Sequence, residues 1–381
     1  MHNEKGENEK MSMKRILSLF TVLIMVAALV AGCANDTQPT PSPSPSPEAT
    51  ETPASPPPAT GETPDSGEGR PESERRTGPI MISAEELQDM MDDENNDIIL
   101  IGAINPTAAL VPFSNAANPI RGSFLVWQDD IYGPDPSALS PDLQFGRMPL
   151  ANMENLLSRA GITEDSIIVA YHSDAAAVGA RVAWHLSMLG LDVRFLDGGV
   201  AAWRAANGRT GSSNRLSGQP VVNDFRAPDY DPSFNNVTIY EVIHALQNPD
   251  EWVVIDTRTD AEYNGERVGP SSGGFGTGRM SGSVHVEWTR AHDGDGLRLP
   301  EAELRALYGF IGDRNVIVFC QGGIRSSYSW VILNDLGFDV WNYDGSWIEW
   351  SYAASTAGNF PQRDVVLELT ELWADNGGII S

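Results

Sequence analysis

Leu189-Gly190, Asp197-Gly198 and Trp203 recur at one constant offset as Leu336-Gly337, Asp344-Gly345 and Trp350. Residues of such different kinds kept in one register mark two copies of one folded unit, so the chain must take an architecture that can be built twice. Its 381 residues are enough for two ordinary domains. In the first copy Ile82 to Met91 reads as a helix opened by Ser83, with Glu86 completing a capping box. Ile98 to Ile101, Ser166 to Ala170 and Val193 to Leu196 read as strands, and Asn152 to Ala160, Ala180 to Leu189 and Val200 to Ala206 as helices. The second copy follows suit, with helices over Val237 to Gln247, Pro300 to Phe310 and Tyr328 to Leu336 and strands over Trp252 to Asp256 and Val316 to Phe319. This alternation predicts an α/β fold in which each copy is a mostly parallel sheet flanked by helices.

The flanks are of another kind. Met13-Lys14-Arg15 and the apolar run Ile16 to Val30 have the charge order and length of a signal peptide. The run ends in Leu29-Val30-Ala31-Gly32-Cys33, which resembles a bacterial lipoprotein signal, with small residues before a cysteine that takes the lipid. The expected organisation is a signal over 1–33 and a disordered Pro/Ser/Thr-rich tether over 34–78. A first domain over 79–210, a linker over 211–229, a second domain over 230–361 and a tail over 362–381 follow. The tether cannot bury enough apolar surface to fold, and Pro41-Ser42-Pro43-Ser44-Pro45-Ser46-Pro47 keeps it extended. Lipid on Cys33 would place the domains outside the cytoplasm, anchored to a membrane through that lipid.

A net charge of −27 argues against nucleic acid or an anionic membrane surface as the main partner. It also means that an anionic ligand must find its positive field at short range. Only two cysteines are present, Cys33 and Cys320. With Cys33 lipidated, Cys320 is the single thiol and no intramolecular disulfide can form.

Cys320 follows the short apolar run Val316-Ile317-Val318-Phe319 and precedes Gln321-Gly322-Gly323-Ile324-Arg325-Ser326. A cysteine on the loop that opens a helix sits where free backbone N–H groups converge, which favours its thiolate. Gly322 and Gly323 permit the turn, and Arg325 keeps its charge and offers several donors to an anion beside the sulfur. A buried strand-end cysteine with no chemistry is the plain alternative.

Cys320-Gln321-Gly322-Gly323-Ile324-Arg325-Ser326 resembles the active-site loop of the rhodanese family of thiosulfate sulfurtransferases, and Tyr343-Asp344-Gly345-Ser346-Trp347-Ile348-Glu349-Trp350 resembles that family's C-terminal signature. Asp256-Thr257-Arg258 with Glu262-Tyr263, and Gly278-Arg279-Met280-Ser281-Gly282-Ser283, are similar to its Asp-x-Arg and Gly-His-x-x-Gly-Ala elements. The resemblance implies tandem rhodanese-like domains, the first non-catalytic because its counterpart of Cys320 falls within Tyr171-His172-Ser173. It implies that Cys320 carries a persulfide, taking sulfur from a small donor anion, thiosulfate, and passing it to cyanide or a thiol, with no metal and no cofactor. Gln321, Gly322, Gly323, Ile324, Arg325 and Ser326 would bind the substrate, and Asp256, Arg258 and Arg279 would support the site.

The match departs from the family at Glu262, where animal thiosulfate enzymes carry an arginine, and at Arg279, which replaces a histidine. Mercaptopyruvate as donor and a non-enzymatic sulfur carrier or sensor are the alternatives. Phosphatases and arsenate reductases related to rhodanese use a loop one residue longer between cysteine and arginine. Asp293-Gly294-Asp295-Gly296 lacks the spaced carboxylates of a calcium loop and reads as a solvated turn. His172 with Asp174 is a weaker candidate for separate chemistry, and Trp347 and Trp350 read as packing.

Overall fold

The computed structural model describes residues 80–104, 118–133, 146–266, 276–293 and 296–355. The expected signal, the whole of the tether and tail, Cys33 and part of the Asp293–Gly296 turn lie outside them. Described in chain order, the first half comprises β1 (Met81–Ile82), α1 (Ala84–Asp92), β2 (Ile98–Ala103), β3 (Phe124–Val126), α2 (Gln128–Ile131), β4 (Tyr132–Gly133) and β5 (Gly146–Arg147). It continues with α3 (Leu150–Leu157), β6 (Ile167–His172), α4 (Ala176–Ser187), β7 (Asp192–Leu196), α5 (Gly199–Ala205) and β8 (Asn214–Arg215). The second half comprises β9 (Asn236–Val237), α6 (Ile239–Gln247), β10 (Trp252–Asp256), α7 (Asp260–Tyr263), β11 (Val284–His285) and α8 (Glu301–Leu307). It closes with β12 (Asn315–Phe319), α9 (Ile324–Asp335), β13 (Val340–Tyr343) and α10 (Ser346–Ser355).

Both main sheets are parallel throughout, as the alternation predicts. The first runs β1-β7-β6-β2-β3-β8 and the second β9-β13-β12-β10-β11, so the five strands that the halves share take one order. β6 and β12 lie inside their sheets and are covered on both faces, which is why they read as unbroken apolar runs. The first helix keeps its capping box: the Glu86 N–H donates to Ser83 Oγ at 3.1 Å and the Ser83 N–H to Glu86 Oε2 at 2.7 Å. α9 begins at Ile324, four residues ahead of the expected Tyr328. Polar Arg325, Ser326 and Ser327 hid this turn, but Gly323 in the left-handed conformation (φ 78°) opens the helix directly behind the loop.

Residues 211–229, polar in sequence, do more than connect. Asn214–Arg215 lie parallel beside β3, Leu216 and Phe225 enter the first half's core, and the Phe225 N–H donates to Ser158 Oγ at 3.0 Å. The segment straps the first half because these two apolar residues find their burial there.

One apolar core runs through both halves, with α4 packed on α9 at its centre. The Trp184 indole N–H donates to the Asn235 carbonyl at 3.0 Å, and the Asn235 amide returns to the Trp184 carbonyl at 3.1 Å. Arg298 links Asp335 (Nη1 to Oδ2, 2.6 Å) with Asp197 (backbone N–H to Oδ1, 3.0 Å), and the Met81 N–H donates to Asp335 Oδ1 at 3.0 Å. Because the halves share this core, urea unfolding is expected to show one transition by tryptophan fluorescence and by far-UV circular dichroism. Trp184→Ala should lower the free energy of unfolding by about 3–5 kcal/mol, the range for emptying a buried aromatic site.

Candidate active site

The carboxyl ends of β10, β12 and β13 meet at one edge of the second sheet, and Cys320 follows β12 there. Its residue is buried, 1% exposed. The Cys320 backbone is pinned on both sides: its N–H donates to Ser346 Oγ at 3.2 Å and its carbonyl accepts the Trp347 N–H at 3.1 Å. The Gln321 carbonyl accepts the Ile348 N–H at 3.0 Å. The Tyr343–Trp350 segment is thus the floor under the loop, and buried Trp347 and Trp350 anchor it.

Burial pushes the Cys320 thiol up. The Arg325 guanidinium, the backbone N–H and hydroxyl of Ser326 and the Gly322 N–H more than reverse that, leaving the thiol below its ordinary value. The side chain of Gln321 is buried beside it, and neither amide atom has a hydrogen-bond partner among the described residues. Such an orphaned amide costs about 1–3 kcal/mol and is a ready contact for a ligand.

Arg325 is held by a residue from α7. Its Nη1 and Nη2 donate to Glu262 Oε2 and Oε1, both at 2.8 Å. Glu262 is wholly buried and also takes the Thr259 hydroxyl at 2.6 Å. Burial alone would raise the Glu262 carboxyl, but the hydrogen bonds and charge of Arg325, with Thr259, bring it down to about 2. Asp256 and Arg258 form a second buried pair, Nη2 to Oδ2 at 2.6 Å and Nε to Oδ1 at 2.9 Å. Arg258 also donates to the Gly278 carbonyl at 2.8 Å and lies 4.3 Å over the Trp347 ring. It therefore braces the floor of the site. Arg279 is exposed and stacks on Tyr263 at 4.9 Å, at the rim.

Sequence reasoning missed one participant. Arg181, on α4 of the first half, is wholly buried, pairs with Asp344 and donates through Nη1 to the Gly323 carbonyl at 3.2 Å. That carbonyl also accepts Asn342 Nδ2 at 3.2 Å and Ser327 Oγ at 2.7 Å. Three donors hold it away from the sulfur, so the next amides of the loop stay aimed at Cys320. A charged residue inside the apolar stretch Ala180 to Leu189 was the available signal.

In the first half β6 ends at His172, so Ser173 stands where Cys320 stands in the second. Its hydroxyl donates to Asp174 at 2.7 Å. His172 is buried and stacked on Phe195 at 5.9 Å, and desolvation, with the charge of His292, lowers its pKa to about 4. Neutral and packed, it has a structural place.

Residues 240–353 match the rhodanese-like domain family. The curated relatives include "Putative thiosulfate sulfurtransferase SseA" of Mycobacterium bovis, 34% identical over 209 residues that cover 52% of this chain and 67% of that one. Another is the sulfur carrier protein TtuD of Thermus thermophilus, 30% identical over 235 residues, covering 59% of this chain and 79% of the relative. Among solved structures, the anaerobic ergothioneine biosynthesis enzyme from Chlorobium limicola superposes with a TM-score of 0.61 at 22% identity, covering 72% of this chain and 68% of that one. The last likeness speaks for the fold. The chain belongs to the rhodanese family.

The thiolate absorbance of the protein, taken against Cys320→Ser, should titrate with a midpoint below the ordinary thiol value, and Arg325→Gln should move that midpoint upward. Arg181→Met leaves Asp344 buried without its main counter-charge. It should cost about 3–5 kcal/mol in urea unfolding, most of it recovered in Arg181→Met/Asp344→Leu.

Proposed function

We propose that the protein is a sulfurtransferase that moves sulfane sulfur from thiosulfate to a small acceptor, cyanide or a thiol, through a persulfide on Cys320. The observation that carries this reading is the setting of the Cys320 sulfur: buried, ringed by the N–H groups of Gly322 and Ser326, and favoured as thiolate by Arg325. The thiolate attacks the outer sulfur of thiosulfate, the bond between the two donor sulfurs breaks, and sulfite leaves with its electron pair. The persulfide keeps one negative charge, which the same N–H groups hold. Cyanide then attacks the outer sulfur, giving thiocyanate and restoring the thiolate.

Gly323, with the Arg181, Asn342 and Ser327 contacts to its carbonyl, keeps the loop in the shape this needs. A Cβ at Gly323 would stand 2.5 Å from Asp344 Oδ1 and 2.7 Å from Arg181 Nη1. The depth of Cys320 suits slim acceptors better than a thiol on a bulky protein surface, which favours an enzyme over a carrier. Four residues between Cys320 and Arg325 favour sulfur over phosphate chemistry. Mercaptopyruvate is the second donor to try. The location rests on the signal-like sequence from Met13 to Cys33, and we place the domains outside the cytoplasm, tethered to a membrane by lipid on Cys33.

Intact-protein mass after incubation with thiosulfate is the direct test, on a soluble form beginning near Pro79 with Cys320→Ser alongside. The expected result is a gain of one sulfur atom on the parent only, discharged by cyanide as thiocyanate. A parent whose thiol alkylates but takes no sulfur would exclude thiosulfate as donor.

A further inference from the structure

Each arginine packed around the Cys320 loop already has a carboxylate. Arg325 pairs with Glu262, Arg258 with Asp256 and Arg181 with Asp344. Within each pair the charges cancel, so none of these three guanidiniums offers a donor an uncompensated positive charge. Arg279 at the rim is exposed, where solvent screens it. Glu262 is the carboxylate that matters most for a donor, because it is wholly buried and takes both terminal nitrogens of Arg325 at 2.8 Å. A sulfonate that approaches Arg325 meets a guanidinium whose two terminal nitrogens already donate to a carboxylate and whose charge is balanced.

We infer that Glu262 sets the donor charge this site accepts, disfavouring a dianion relative to a monoanion that carries the same transferable sulfur. The inference rests on the persulfide reading and adds the class of donor to it. Thiosulfate is the dianion, and an alkyl thiosulfonate is a monoanion with the same outer sulfur on a sulfonyl group. With the first, the thiolate takes the outer sulfur and sulfite departs as a dianion. With the second, the same bond breaks and an alkanesulfinate departs as a monoanion. Charge balances in both, and the two donors differ at the end that faces Arg325 and Glu262. The hydrogen bonds and charge of Arg325, with Thr259, outweigh burial and keep the Glu262 carboxyl down at about 2, so it stays ionised across the working pH range.

The test measures equilibrium binding of thiosulfate and of methanethiosulfonate by tryptophan fluorescence in the full chain carrying Cys320→Ser. There no sulfur moves and the uncharged serine leaves the effect of Glu262 to be read alone. Adding Glu262→Gln should tighten thiosulfate about tenfold and methanethiosulfonate about threefold, since the carboxylate repels two charges in one case and one in the other. Glu262→Asp keeps the charge and should keep the parental preference. Equal changes for both donors, weaker thiosulfate binding in Glu262→Gln, or Glu262→Asp behaving like Glu262→Gln would overturn the inference and leave Glu262 as a residue that only positions Arg325. Sulfur uptake by the parent chain, read by mass, decides the persulfide reading separately. A parent that takes sulfur from neither donor would fail that reading while the binding ratio still decides this one.

Discussion

A charge on the sulfur of a residue that is 1% exposed is the condition the rest of the site answers to. An ion stripped of water reverts to its neutral form unless the protein replaces the lost solvation. Around Cys320 the replacement is backbone and Ser326 donors plus one guanidinium, and each depends on the turn at Gly323. That turn in turn depends on where its carbonyl goes. Bound by Arg181, Asn342 and Ser327, the Gly323 oxygen cannot face the sulfur, so the loop presents donors and not acceptors to the anion. The buried floor from Tyr343 to Trp350 fixes the same loop from below through Ser346, Trp347 and Ile348.

The first half reaches this site through a residue that the repeat itself exposes. Arg181 and Tyr328 hold the same register position in α4 and α9, and because those helices pack together each lies against the opposite half. Arg181 pairs with Asp344, whereas Tyr328 is buried within reach of the charge of Asp197, the counterpart of Asp344. Two copies of one unit have therefore kept their geometry and divided their work. The copy without the cysteine supplies the arginine that holds the other's loop, while Ser173 and Asp174 close on each other in its own loop. An inert scaffold would have no reason to bury a guanidinium at the interface, where an unpaired charge is costly and an apolar residue of similar size would pack as well.

Most of the architecture was legible because its long elements obey simple periodicities. The strand Trp252–Asp256 and the capped helix after Ser83 stand as read, and the constant offset between the copies anticipates the shared strand order. Strands of two or three residues, such as Asn236–Val237, Val284–His285 and Asn214–Arg215, carry too few residues to show a period, and only pairing with a neighbour makes them strands. At the site, Cys320 and the loop glycines were legible because their chemistry is local. The Glu262–Arg325 and Arg181–Asp344 pairs were not, since each joins residues far apart in sequence and a charged residue does not announce its partner.

Charge ties the local and the whole-molecule views together. A chain of net charge −27 repels small anions at long range, and salt confines that repulsion to about 8–10 Å of the surface. A donor anion therefore arrives by diffusion without electrostatic help, and what holds it must act within hydrogen-bond distance. Neutralised arginines suit that situation. They orient the loop and stabilise the thiolate without building a positive well in which sulfite, the dianion that the proposed reaction releases, would linger. A site that bound dianions strongly would bind the leaving group as strongly as the donor and gain nothing in turnover. On the proposed reaction the same pairing that weakens capture of a dianionic donor frees the product, so the balance between Arg325 and Glu262 would be a balance between filling the site and emptying it.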